Sequence, residues 1–185
     1  MKKYLLILAA ILVLSVICLT SAVSAEDTQG DYAQASSTID VSARAIGDQI
    51  ADEIIVVVNQ KRADNGLSAV TKNSVLTDVA EYQCAEMKQH HFFQHETHEG
   101  YDFFWRADHF GYIFNTAYWG ENIGKGVPDR GTPTRIAKKF VNKWMKKTAD
   151  RNNILNSHVT RIGVGVVWAR IGHSRSWVSV LDLTA

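Results

Sequence analysis

The chain has 185 residues, 46% of them hydrophobic, with 20 Lys and Arg against 19 Asp and Glu. That length accommodates one domain with a substantial core, and the near-neutral balance excludes bulk charge attraction to nucleic acid. Of the two cysteines, Cys18 lies in an apolar N-terminal stretch, so Cys84 has no internal disulfide partner in the remainder and stability there must come from burial.

Residues 1–25 read as an export signal. Lys2 and Lys3 form a positive start, Tyr4 to Leu19 an apolar stretch, and Val23-Ser24-Ala25 a small-residue cleavage site. Cleavage would start the mature protein near Glu26 and change the net charge from +1 to −1. Two alternatives stay open: an uncleaved membrane anchor, which needs about 20 apolar residues, and lipid attachment at Cys18. The second lacks the small residue usual before a lipidated cysteine. An uncleaved segment would be the only contact with a membrane.

Residues 26–39 are polar or small and predict a flexible lead-in, with the folded domain over residues 40–185. From Asp40 onward Ile46, Ile50, Ile54, Val57 and Val58 recur at helical spacing, and Asn65-Gly66 is a stop signal. Asn73 or Ser74 can cap a second helix that aligns Val75, Leu76, Val79, Ala80, Cys84 and Met87. Cys84 is thereby expected in the core. A third helical stretch, Asp102 to His109, has Phe103, Phe104 and Phe110 to bury. A fourth starts near Thr134, with Ile136, Phe140 and Trp144 as its apolar stripe and a basic, solvated face opposite. Arg161–Arg170 and Ser176–Leu183 predict two strands joined by a turn at Gly172–Arg175, an antiparallel hairpin. Gly163 and Gly165 leave one face of the first strand bare for a close-packed helix. Helices first and strands late give an α+β class.

Several polar residues stand in contexts that suggest chemistry. His95 ends Phe92-Phe93-Gln94-His95, where the second helix should be finishing. Glu121 lies in Gly120-Glu121-Asn122-Ile123 at the start of a buried strand. A buried carboxylate is costly unpaired, and His95 is its natural partner. That pair suits general base work, metal ligation or structural bracing alike. His95-Glu96-Thr97-His98 is one residue short of a zincin motif and does not make one. No serine or cysteine nucleophile, phosphate loop or dinucleotide fingerprint stands out.

These segments, followed in order by Trp144-Met145, Arg151-Asn152-Asn153-Ile154-Leu155 and Ile162-Gly163-Val164-Gly165-Val166-Val167-Trp168, together resemble the CAP superfamily of SCP-domain proteins. The likeness runs from about Glu53 to Leu183 and points to its cysteine-poor prokaryotic branch. It implies a CAP-type α-β-α sandwich with a central antiparallel sheet. It also implies a cleft lined by His95, Glu121 and Asn122. Two departures bear on that cleft. The Pro-Asp-Gly-like turn usual after the first histidine is replaced by Glu96-Thr97-His98-Glu99-Gly100. The second histidine, usual in Gly-His-Arg, is replaced by Asp150. Ser157-His158-Val159-Thr160 is similar to the segment that supplies this histidine in eukaryotic members, so either Asp150 or His158 is expected to complete the site, with His158 favoured.

The resemblance therefore implies a secreted or envelope-located protein whose cleft binds a small or extended ligand, lipid-like or envelope-derived, rather than an enzyme. A metal-assisted, peptidase-like hydrolase and an envelope-associated structural module are the alternatives. The residues specify no cofactor; zinc or another divalent cation held by His95, His158 and Glu121 is the one the resemblance allows.

Overall fold

The computed structural model describes residues 26–114, 118–128 and 131–185, with side chains from Val41 onward. The expected export signal lies outside the described residues. Two compact units divide the chain, Met1–Asp40 and Val41–Ala185, and the second carries the fold.

Helix α1 spans Glu26–Ala63, so the expected lead-in over residues 26–39 is helical. A polar stretch has nothing to bury, yet extending an established helix costs little per residue. Within Val41–Ala185, α1 buries Ile50, Ile54 and Val58, then stops where Gly66 takes a left-handed φ of 73°. Strand β1 is the short Thr71–Lys72. Asn73 then caps α2, Ser74–His90, by accepting from the Leu76 N–H at 3.0 Å. Asp102 does the same for α3, Phe103–His109. Strand β2 spans Trp119–Val127, and Thr132 caps α4, Pro133–Trp144. A short α5, Thr148–Ile154, has no counterpart in the sequence reading. Strands β3, Arg161–Ile171, and β4, Ser174–Thr184, form the expected hairpin, with Gly172 at a φ of 64° in a turn tighter than predicted.

The sheet order is β1-β3-β4-β2. Its three long strands are antiparallel as expected; β1 adds a two-residue parallel edge beside β3. Helices cover both faces. The hydrophobic residues of α1, α4 and α5 join Ile162, Val164, Trp177, Leu181 and Leu183 in one cluster. Ala80, Cys84 and Met87 of α2 meet Ile123, Val178 and Val180 in the other, and α3 packs on α2 through Phe103 and Ala107. Neighbouring residues of β4 thus alternate between layers, as the strand period of two requires.

Gly163 and Gly165 set the spacing between α2 and the sheet. A Cβ on Gly163 would lie 2.1 Å from the Leu76 carbonyl carbon, and one on Gly165 2.6 Å from that of Ala80. The bare face anticipated from the glycine alternation is filled by helix backbone. Cys84 is 2% exposed, and burial drives its thiol pKa upward, as befits a core residue. Phe104 departs from expectation: it is 42% exposed. In a seven-residue helix only one narrow face packs, and here Phe103, Arg106 and Ala107 occupy it.

Trp144 is 1% exposed, and its indole N–H donates to the Ile123 carbonyl at 3.1 Å. Trp144→Ala is expected to cost about 3–5 kcal/mol, from the lost ring and the cavity left behind. Lys138→Ala on the exposed face of α4 should stay within about 0.5 kcal/mol. Urea denaturation of the two variants provides the comparison, and equal costs would contradict the orientation of α4.

Candidate functional site

The period of strand β2 decides which of its residues share a layer. Trp119, Glu121 and Ile123 face α2 and α3. Gly120, Asn122 and Gly124 face α4 and α5, where added Cβ atoms on the two glycines would strike Asn153 and Phe140. Glu121 thus enters the α2–α3 layer, where its residue is 7% exposed.

There the carboxylate has two partners. Glu121 Oε1 pairs with His95 Nδ1 at 2.7 Å, and Oε2 accepts from Arg106 Nη2. Arg106 is fully buried, and its Nη1 donates to the His95 carbonyl at 2.7 Å. One guanidinium from α3 therefore grips both the glutamate and the backbone that carries the histidine. The loop is held from α2 as well, since the buried Gln83 amide donates to the carbonyls of Gln94 and Glu96, each at 2.9 Å.

A second carboxyl shares this layer. Asp182 is the register partner of Glu121 across β2 and β4, is 0% exposed, and neither of its oxygens makes a hydrogen bond among the described residues. Burial is the main cause that raises its pKa, the neighbouring Glu121 adds to it, and Arg106 opposes it. Two carboxylates directly opposite in a sheet repel, and a buried one without donors is costly when ionised. Burial among apolar residues beside Glu121 therefore disfavours the charged form of Asp182.

His95 is the outlet of this buried network. Its side chain is 53% exposed, and its Nε2 has no protein partner among the described residues. The hydrogen bond to Glu121 raises its pKa, partial burial opposes that, and the charges of Glu121, Glu96 and Asp150 add to the rise. A raised histidine pKa stabilises the fold fully below its unfolded value of about 6.5 and loses that contribution as pH rises through the folded value. The stability gap between wild type and His95→Gln should therefore be widest in mild acid and close toward alkaline pH. Denaturation series at several pH values measure it, and a gap that is flat or widens with pH would contradict the pairing.

The other expected site residues lie elsewhere. Asn122 is fully buried on the opposite face of β2, where it donates to the Asp150 carbonyl at 2.9 Å and accepts from Asn153 at 2.8 Å. It braces α5 and does not line a cleft, because the strand period turns it away from Glu121. Asp150 sits on α5 with an ion pair to Lys147 at 3.5 Å, and reaches His95 only as the smallest of the charge effects on it. His158 is exposed; its ring stacks on Tyr118 with centroids 4.0 Å apart, and its backbone N–H donates to Asn156 Oδ1. It meets neither His95 nor Glu121. Sequence reasoning missed Arg106 and Asp182. The available signals were an arginine three residues after Phe103 on a short amphipathic helix, and an aspartate within the apolar run of β4.

Outside this network, an open depression of about 330 Å³ lies against α4, lined by Lys139, Asn142, Lys143 and Lys146 among others. It contains none of the expected site residues.

Residues 56–181 match the family described as CAP: Cysteine-rich secretory protein family. The chain belongs to this family. The uncharacterized protein YkwD of Bacillus subtilis is 32% identical to this CAP chain over 115 residues, which are 62% of the chain and 41% of YkwD. The chain thus spans less than half of that relative's length. An extracellular SCP-domain protein from Bacillus anthracis superposes with a TM-score of 0.62 at 20% identity, covering 77% of this chain and 43% of that one. An outer surface protein from Borrelia burgdorferi gives a TM-score of 0.57 at 15% identity, covering 70% and 88%. Such identities establish the fold, the CAP α-β-α sandwich of the α+β class, and nothing finer.

The residues expected to hold a cation in this CAP domain do not suit one. Zinc takes three or four donors at about 2.0–2.3 Å. His95, Glu121 and His158 form no such group, and both Glu121 oxygens are already engaged by His95 and Arg106. The arrangement that remains is a hydrogen-bonding imidazole fixed at one nitrogen and open at the other.

Proposed function

We propose that this CAP domain binds an extended amphiphilic ligand, lipid-like or derived from the cell envelope, with His95 holding its polar end. The half-exposed imidazole carries the reading, because its Nδ1 is tied to buried Glu121 while Nε2 stays open. The raised pKa favours the imidazolium, a donor suited to an acidic or carbonyl group. Apolar surface lies beside it. Trp119 faces the same layer as Glu121, two residues or about 7 Å along the strand. Its ring stacks on Phe103 and meets Phe104 edge-on. Tyr101, Phe104, Trp105 and Trp119 all remain more than a third exposed. A few placed polar groups beside aromatic rings are the usual composition of a small-molecule site.

The N-terminal signal pattern supports action outside the cell or in its envelope. So do the structural relatives, described as an extracellular and an outer surface protein.

Titration of tryptophan fluorescence with dodecanoate, as an amphiphile with an acidic head, tests the reading. The expected result is a saturable change that weakens at least about tenfold in His95→Ala, is reduced in Trp119→Ala, and persists in His158→Ala. Binding should also loosen as pH rises through the folded pKa of His95. No saturable response, or the same affinity in His95→Ala, would refute it.

A further inference from the structure

Glu86 and His90 stand one helical turn apart on α2 and so share a face. The loop that follows the helix brings Glu99 to them. A carboxylate oxygen of each glutamate and a ring nitrogen of His90 lie within 4.8 Å of one another. Among the described residues this is the only group of three His, Cys, Asp or Glu side chains that converges so closely.

The group is held from several directions. Gln83, one turn earlier on α2, fixes the loop through the carbonyls of Gln94 and Glu96. Buried Thr97 closes the turn around Glu99, accepting from the Gly100 N–H at 3.0 Å through its carbonyl and from the Tyr101 N–H at 3.0 Å through its hydroxyl. The His98 N–H donates to Glu86 Oε2 at 3.3 Å, and the His98 ring stacks on His90 with centroids 4.3 Å apart and planes 5° from parallel. Loop backbone and ring stacking together orient both the carboxylate and the imidazole.

The spacing also has meaning. His90 Nε2 lies 3.9 Å from Glu86 Oε1, too far for a hydrogen bond. Zinc bonds of about 2.0–2.2 Å at tetrahedral angles place two donors of one ion roughly 3.3–3.6 Å apart, so a few tenths of an ångström of side-chain movement brings this pair to ligating distance. The side chains of Glu86 and His90 are 12% and 26% exposed, while Glu99 lies on the surface. An ion there would have three protein donors on one side and solvent on the other.

We propose that Glu86, His90 and Glu99 form a binding site for a first-row divalent cation of the zinc type. One imidazole with two carboxylates suits zinc, cobalt or nickel, whereas calcium and magnesium prefer oxygen donors alone. The outward position remains open for water or for a donor from a partner. The site is separate from the ligand reading at His95 and stands whether or not that reading holds.

Calorimetric titration of the chelator-treated protein with Zn²⁺, paired with visible absorption on adding Co²⁺, tests the site. One equivalent is expected to bind. His90→Ala and Glu86→Gln should each weaken it at least about tenfold, and His95→Ala should leave it unchanged. All three side chains reach solvent, and thermal melts without metal report whether each variant is folded. The proposal is overturned by a lack of saturable uptake, by uptake that either α2 variant leaves intact, or by uptake that His95→Ala abolishes.

Discussion

Glu121→Ala is expected to destabilise the protein by about 3–5 kcal/mol, the cost of leaving one partner of a buried ion pair uncompensated. Arg106 is 0% exposed, and its charge is answered by the Glu121 carboxylate. Removing that carboxylate leaves a guanidinium in a layer built from Met87, Val178 and Val180, with only buried Asp182, which makes no hydrogen bond to it, left to answer its charge. Arg106→Met should cost a comparable amount, since it also releases the His95 carbonyl. The double variant Glu121→Ala with Arg106→Met should cost clearly less than the two single losses together, because no charge is then stranded. Guanidinium denaturation of all four proteins completes the cycle. A Glu121→Ala loss below about 1 kcal/mol would mean that the pair is solvated and the buried network does not exist as described.

Gly163→Ala should be as damaging through a different cause. The new methyl would lie 2.1 Å from the Leu76 carbonyl carbon, 2.3 Å from its oxygen and 2.4 Å from the Thr77 nitrogen. All three atoms are helix backbone, so no side chain can swing aside and α2 as a whole must lift from the sheet. Overpacking of a well-filled core costs about 1–3 kcal/mol and more where the backbone must move; a loss of at least about 3 kcal/mol is expected here. Lifting α2 would also spread the loop that Gln83 holds, so His95 should lose its pairing with Glu121. Gly66→Ala is the control. It has open space and a φ of 73°, so its cost is confined to about 1–2 kcal/mol of left-handed strain. Thermal denaturation of both variants decides it, and a Gly163→Ala protein as stable as Gly66→Ala would contradict the packing.

The residues by themselves determined the α+β class, a helix cap at Asn73 or Ser74, the Asn65-Gly66 stop, the Trp144 stripe and the closing hairpin. Capping, helical and strand periods and left-handed glycine act over a few neighbouring residues, so they are legible without a partner in view. The ordered motifs around His95 and Glu121 also carried the family, because their sequence spacing reflects one fold. Only the tertiary structure decided how those motifs meet. Arg106 joins Glu121 from 15 residues away, and Asp182 comes opposite it through strand register; neither relation leaves a periodic trace in the chain. The same holds for Asn122, which the pleat of β2 turns toward α5 and away from Glu121, and for His158, which stacks on Tyr118 instead of completing a pair. Asp182 is the clearest case: nothing in the residue type foretells its raised pKa, which comes from desolvation beside a second carboxylate.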